Sequence, residues 1–456
     1  MSAAKNDRFD RIARFVLDEE LAVPESALTM AVTLLLDTVG VASGAAGLEA
    51  GRIARDFAVD FHGAGQGGLS APLMFDGRLT SVVGAAFAAA TQIDNLDGHD
   101  GYNPTKGHIG CAVVPALFAF AANRPDLSGR KALVALVMAY EVAARAGIAL
   151  HATVSDYHTS GAWNALGVAA LACRLMKTDR AILREALGIA EYHGPRSQMM
   201  REIDNPSMLH DGSGMGAMAG ASAALLAARG FRGSPAITAE AKEVAPFWQD
   251  LGDFWSIEHN YIKPYPICRW AHAAIDAVRQ LMQGNRFGPD DIVAVKVRTF
   301  HEAACLFSGM PKTSSQAQYS LAYAITVMLR HGHIGPEHID GPALWDPLTA
   351  DLLRRISIVE AARHSARFPQ GRWSDVEIIL SDGSKLASGD VHARGGPEAP
   401  MEAEEIKAKF QAMTAHRLPR ARSDAIWKAG HALLQPGVPF SRLSDLTTPQ
   451  TPKEPG

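Results

Sequence analysis

The sequence predicts a mainly α protein: a large all-helical domain, with a smaller α+β domain set between it and a helical C-terminal segment. Three observations predict it. Apolar residues recur with a helical period through about the first 260 positions. Val-rich alternation of period two begins only after residue 265. Small residues crowd the helical part, as in GAAFAAA, GVAALA and GAMAGASAALLAARG, and let helix backbones approach closely.

In chain order, Asn6 can cap a first helix with Phe9, Ile12, Phe15 and Val16 on one face. Pro24 opens a second helix through LTMAVTLLLDTVGVASG. Further helices are expected at 49–62, 80–94, 109–123, 128–150, 161–176, 178–192 and 214–229, with Ser128 capping the long periodic run. This half shows no strand-like alternation. Beyond it, DIVAVKVRTF (291–300), RISIVEAA (355–362) and SDVEIILSDGSKLASGDV (374–391) alternate as half-buried strands do. The last contains the hairpin turn Ser381-Asp382-Gly383-Ser384. Helices at 271–284, 316–332 and 402–414 lie between and after the strands. The expected domains are 1–265 plus 401–445, all helical, and 266–400, α+β. The Pro-rich end, residues 446–456, is expected to be disordered.

The chain has 456 residues, 47% hydrophobic and 20% charged, enough to bury a large core without disulfides. A net charge of −4 and the lack of any Lys/Arg run argue against nucleic acid as a partner. Cys111, Cys173, Cys268 and Cys305 form no CxxC pair, so reduced thiols in the cytoplasm are the plain reading. The charged N-terminus lacks a signal-like apolar core. Apolar stretches such as GCAVVPALFAFAA stop short of the ~20 residues that a membrane span needs.

Chemistry concentrates in four segments. Residues 94–110 hold Asp94, Asp97, His99, Asp100, Lys106 and His108 between two Ala-rich helices. Carboxylates, imidazoles and an ammonium are costly to bury without purpose, and together they suit proton transfer. A helix-ending turn accounts for Asp97, Gly98 and Asp100 but not for His99, Lys106 and His108. The same acids and histidines are acceptable ligands for zinc, iron or manganese. Their spacing matches no helix-borne pair, however, and Lys106 beside His108 repels a cation. The second segment is Asp156–Asn164, with His158 before a helix N-terminus, where carboxylates are attracted. The third, Ser207–Gly216, places His210 ahead of a Gly-rich helix start that serves either close packing or substrate binding. The fourth, Tyr261–His272, stiffens Lys263 and Arg269 with two prolines at the join between the two kinds of sequence. Tyr323 opens a helix further on and, taken alone, reads as a core aromatic. The methionines from Met199 to Met218 read as packing.

These segments, in this order, resemble the MmgE/PrpD family: DTVGVASGA, the Asp-rich loop with KGHIGCAVVPAL, YHTSGAWNALGVAA, DGSGMGAMAG and KPYPICRWAH. That family includes 2-methylcitrate dehydratase, cis-aconitate decarboxylase and iminodisuccinate epimerase. The resemblance implies an all-helical domain with an inserted α+β domain, a homodimer, and an active site between the domains that needs no metal or organic cofactor. It also implies Asp94, His108, His158, Lys263 and Tyr323 as catalytic residues. His99, Lys106, His210 and Arg269 are the expected substrate-binding residues. Two departures stand out. Asp97-Gly98-His99-Asp100 replaces the family's Asp-Asp-Thr-x-x-His run, and His210 stands where many members have lysine. The expected activity is a lyase acting on a small di- or tricarboxylate through α-proton abstraction, first of all a 2-methylcitrate dehydratase-like hydro-lyase. Decarboxylation and epimerisation share its first step. From other classes, a non-catalytic carboxylate-binding homologue and a metal-dependent hydrolase remain as alternatives.

Overall fold

The computed structural model describes residues 3–449, with side chains from Phe9 onward. It is mainly helical. The first part runs α1 (Ala3–Leu17), α2 (Glu25–Ala45), α3 (Glu49–Phe61), a small antiparallel hairpin of β1 (Ser70–Pro72) and β2 (Leu79–Ser81), then α4 (Val82–Asp94) and α5 (Gly110–Ala121). It continues with α6 (Gly129–Thr153), α7 (Gly161–Leu175), α8 (Arg180–His193), α9 (Met199–Asp204), α10 (Ser213–Ala228) and α11 (Ile237–Glu240). The β1–β2 hairpin corrects the expectation of a strand-free half. Its turn depends on left-handed backbone at Phe75 and Gly77, which a periodicity count does not register.

Helices α4, α5, α7, α8 and α10 pack face to face. Small residues make this possible. A Cβ added at Gly216 of α10 would lie 2.6 Å from the Gly161 carbonyl at the start of α7. Ser128 caps α6 as expected, its Oγ accepting from the Lys131 amide at 3.2 Å.

Two helices overturn the statement that apolar stretches stay short of a membrane span: α2 has 21 residues and α6 has 25. In α6, 94% of the most apolar stretch is buried within the fold, and in α2 78%. Both read as core helices.

The second part holds α12 (His272–Gly284), β3 (Ile292–Thr299), α13 (His301–Ala304), α14 (Ser314–Gln318), α15 (Leu321–His331), α16 (Pro347–Leu353), β4 (Ile356–Glu360) and α17 (Ala362–Ser365). After these come β5 (Trp373–Leu380), β6 (Lys385–Ala387) and β7 (Val391–His392). The sheet order is β4-β3-β5-β6, with β7 paired to β5. β3 runs parallel to β4 and antiparallel to β5. Helix α12 lies against β5 and β7, with α15 beside it. The expected hairpin at 381–384 forms, with Gly383 left-handed and the Asp382 carboxylate accepting from the Ser384 amide at 2.8 Å.

The chain then returns to the first part. Helices α18 (Ala403–Ala415) and α19 (Arg420–Ala432) pack on α2, and α20 (Ser441–Ser444) follows. The end expected to be disordered is in part ordered: the Arg422 guanidinium donates to the Leu446 and Thr448 carbonyls, both at 2.9 Å. Residues 450–456 lie outside the described residues.

Candidate active site

Five segments from both parts of the chain meet at one place. Helix α4 ends at Asp94, and the loop to α5 turns through left-handed backbone at Asp97 and Lys106. Gly101 pairs with Tyr261 through two main-chain hydrogen bonds of 3.1 and 2.8 Å, so this loop zips onto the Lys263 loop. A Cβ at Gly101 would press into the Tyr261 hydroxyl and stand 2.9 Å from His108 Nδ1, which is why that position is bare. The Asn95 side chain donates to the Met208 carbonyl at 3.0 Å, and Gln318 Nε2 donates to the Asn95 carbonyl at 2.8 Å. From α18, the Lys409 ammonium pairs with Asp37 and donates to the Gly98 carbonyl, each at 2.6 Å.

His108 lies at the centre and is held on three sides. Its amide donates to Ser160 Oγ at 2.9 Å, its carbonyl accepts from Asn164 Nδ2 at 2.8 Å, and Nδ1 lies 2.7 Å from the Asp100 carbonyl. A carbonyl only accepts, so Nδ1 carries the hydrogen and Nε2 carries the lone pair. Nε2 stands 3.6 Å from the Asp211 carboxylate. The other oxygen of Asp211 accepts from the Ser160 amide at 3.0 Å and hydroxyl at 2.8 Å. Burial, then the Lys263 charge, push His108 down to about 4, so the free imidazole is neutral at pH 7.

The His99 ring lies edge-on to His108 at 4.6 Å, with Nε2 3.6 Å from Asp94. Its two nitrogens are buried without a hydrogen-bond partner, and burial holds it well below the usual histidine value. Asp94 sits at the first amide of α10, accepting from Ser213 N at 3.1 Å. Burial, reinforced by the Asp211 charge, raises the Asp94 carboxyl well above the usual range. Its neutral form is therefore favoured more than in an ordinary carboxyl, beside the His99 imidazole. Burial also raises Asp100, to about 7, with the Asp37 charge next in effect.

Lys263 is fully buried, its ammonium bonded to the Asp97 carboxylate and, at 3.0 Å, to the Asp97 carbonyl. Burial alone would lower its pKa, but the Asp97 charge holds Lys263 above the usual lysine value. Asp97 itself is pushed up to about 6 by burial, against the pull of Lys263. Both are ionised at pH 7.

Residues 10–249 match the MmgE/PrpD N-terminal domain and residues 265–433 the MmgE/PrpD C-terminal domain. The chain belongs to the MmgE/PrpD family. It is similar to a cis-aconitate decarboxylase of Aspergillus terreus, 24% identical over 391 residues that cover 73% of this chain and 74% of that protein.

Of the site residues expected for an MmgE/PrpD protein, the structure brings Asp94, His99, His108 and Lys263 together. His210 borders them. Its backbone is left-handed, its ring packs on Tyr319 at 5.3 Å, and burial pushes it down to about 3. Lys106 lies with its ammonium 4.6 Å over the Tyr157 ring. His158 stacks on His151 at 6.4 Å, and among the described residues no ring contact or hydrogen bond links its side chain to His108. Arg269 is tied to the Arg394 and Ala393 carbonyls at 2.6 and 3.1 Å and lies over Tyr261.

The expectation for Tyr323 is corrected. Its hydroxyl donates to the His338 carbonyl at 2.7 Å, anchoring a loop of the second part. Two other tyrosines border the cluster: Tyr261, edge-on to His108 at 6.3 Å, and Tyr319, which is buried beside His210 and feels the charges of Asp97 and Asp211. Ser320 breaks the expected 316–332 helix, its Oγ accepting from the Tyr323 amide at 3.2 Å, and that break separates Tyr319 from Tyr323. Sequence reasoning also left Asp97, Ser160 and Asp211 out of the site. Only the partnership of Asp97 with a distant lysine, and of Asp211 with a distant histidine, marks them.

Of four trios among the described residues that could offer metal ligands, two lie here, Asp94 with His99 and Cys111, and Asp97 with His99 and His108, their ligand atoms within 4.8 Å of one another. In the second, the Lys263 ammonium already occupies the carboxylate and opposes another cation.

Cavities flank the seam. One, of about 350 Å³, is lined by Asn95, Met208 and Ser315, and another, of about 450 Å³, by Tyr102, Asn103, Pro369 and Gln370. The reacting groups line neither.

Proposed function

We propose that this protein is a cofactor-independent lyase that acts on a small di- or tricarboxylate by removing a proton from a carbon α to a carboxylate. The first reaction to test is dehydration of a 2-methylcitrate-like hydroxy acid. One observation carries this reading: His108 is buried and neutral, with its tautomer fixed by the Asp100 carbonyl, beside a buried Lys263 ammonium. An α-proton is weakly acidic. Its removal needs a base with a free lone pair and a cation for the charge that develops on the carboxylate oxygens.

In this reading His108 Nε2 takes the proton, and Asp211 stabilises the imidazolium that forms. The electron pair from the C–H bond moves toward the carboxylate, whose oxygens lie on Lys263. As the double bond forms, hydroxide leaves and is protonated to water by an acid group, with Tyr319 and Asp94 the candidates. Asp97 positions Lys263.

A second reading, decarboxylation of a cis-aconitate-like acid, is favoured by the similarity to the Aspergillus terreus protein. Cytoplasmic location and a homodimeric state belong to the same proposal. Purified protein incubated with 2-methylcitrate, citrate, cis-aconitate and iminodisuccinate, with products followed by proton NMR, tests it. Loss of water from a hydroxy acid supports the first reading and loss of carbon dioxide the second. A protein that transforms none of these acids would overturn the proposal.

A further inference from the structure

The lyase reading places one substrate carboxylate on Lys263 and leaves the others without a receptor. Arg269 is engaged through both terminal nitrogens by main-chain carbonyls, which leaves its buried Nε as the edge without a partner. Arg372 is different. It is 2% exposed, yet among the described residues it has no carboxylate partner. Its Nη1 donates to the Pro369 carbonyl, and its buried Nε has no partner. Arg145, equally buried, shows what a structural arginine looks like in this fold, since it is paired with both Glu141 and Asp250. A buried guanidinium without an anion is costly, and the fork it presents fits a carboxylate in two-point contact.

Its location fits the site. The guanidinium lies 5.2 Å from the centre of the Phe368 ring, which stacks on Phe300 and meets Trp270 edge-on at 6.2 Å. Trp270 in turn lies 6.2 Å from Tyr157, whose ring also meets the Lys106 ammonium at 4.6 Å and His151 at 5.5 Å. The Arg372 carbonyl accepts from the Ala393 amide at 2.9 Å, in the same wall that holds Arg269. The Arg372 charge is felt at His108, Tyr261, Tyr157 and Lys106.

We infer that Arg372 is the receptor for the substrate carboxylate remote from the carbon that loses its proton, and so selects tricarboxylates over dicarboxylates. This rests on the lyase reading. Titration calorimetry with two unreactive probes tests it: tricarballylate, with three carboxylates, and 2-methylsuccinate, the same acid with one terminal carboxylate removed. Wild type is expected to prefer tricarballylate. Arg372→Gln is expected to lose about 30-fold or more in tricarballylate affinity, and less than about threefold for 2-methylsuccinate. Arg372→Lys, which keeps the charge but not the fork, is expected to fall between. Equal tricarballylate affinity in wild type and Arg372→Gln would overturn the inference and leave the lyase reading standing. Parallel losses for both probes with a lowered melting temperature would show a structural role instead and overturn it too. If the wild type binds neither probe and transforms no polycarboxylate, the lyase reading falls first and the inference with it.

Discussion

Replacing Asp97 by Asn isolates the buried ion pair that the proposed chemistry depends on. Asn tolerates the left-handed backbone at this position as well as Asp does, and it has the same shape. The change therefore removes charge without adding strain. Lys263 keeps the main-chain carbonyl at 3.0 Å and a neutral amide oxygen, but loses its counter-ion. Breaking a buried pair by removing one partner costs about 3–5 kcal/mol. The cost has a ceiling, because Lys263 can escape by shedding its proton. From the ordinary lysine value of 10.5, that costs about 1.4 kcal/mol per pH unit, or about 5 kcal/mol at pH 7 and about 2 kcal/mol at pH 9. In the variant, the unfolded chain then binds more protons than the folded one above neutrality, so variant stability rises with pH. In wild type, Asp97 keeps Lys263 charged through the same range. Urea unfolding followed by circular dichroism should show a deficit of about 3–5 kcal/mol at pH 7 that shrinks to about 2 kcal/mol or less at pH 9. A deficit below about 1 kcal/mol, or one that is equal at both pH values, would refute the reasoning.

Four other outcomes are expected. His108→Gln should lower kcat by roughly 10²–10⁴-fold while the protein still unfolds cooperatively, as read by product formation and melting. Tyr323→Phe should cost about 1–3 kcal/mol in urea unfolding, by leaving the His338 carbonyl short of a donor, with turnover nearly intact, whereas Tyr319→Phe should reduce turnover. Gly216→Ala should destabilise by about 1–3 kcal/mol, because the new methyl meets the Gly161 main chain rather than a movable side chain. The pH profile of kcat/KM should fall on the acid side through about 6, as Asp97 takes a proton and loosens Lys263, and more steeply through about 4, as His108 loses its lone pair.

Much of the helical framework is legible in the sequence because it rests on local rules. Ser128 and the Asp382-Gly383 turn act where their side chain or backbone preference puts them. The misses share another cause. The β1–β2 hairpin is three residues a side and is held by left-handed positions rather than by alternation. Ser320 caps α15, so Tyr319 and Tyr323 fall on different elements rather than on one continuous helix. Arg372 lies in an irregular segment before β5, so no period points to it. Only its burial without an anion does. Asp211 likewise reads as a loop residue until Ser160 and His108 are placed beside it.

The central claim is that His108 moves a proton at a carbon next to a carboxylate. The most direct measurement is proton NMR of the protein in deuterium oxide with whichever polycarboxylate it transforms, comparing wild type with His108→Gln. The account predicts solvent deuterium at the α-carbon of product or recovered substrate for wild type, and its loss in the variant. Deuterium incorporation at the wild-type rate in a folded His108→Gln protein would contradict it.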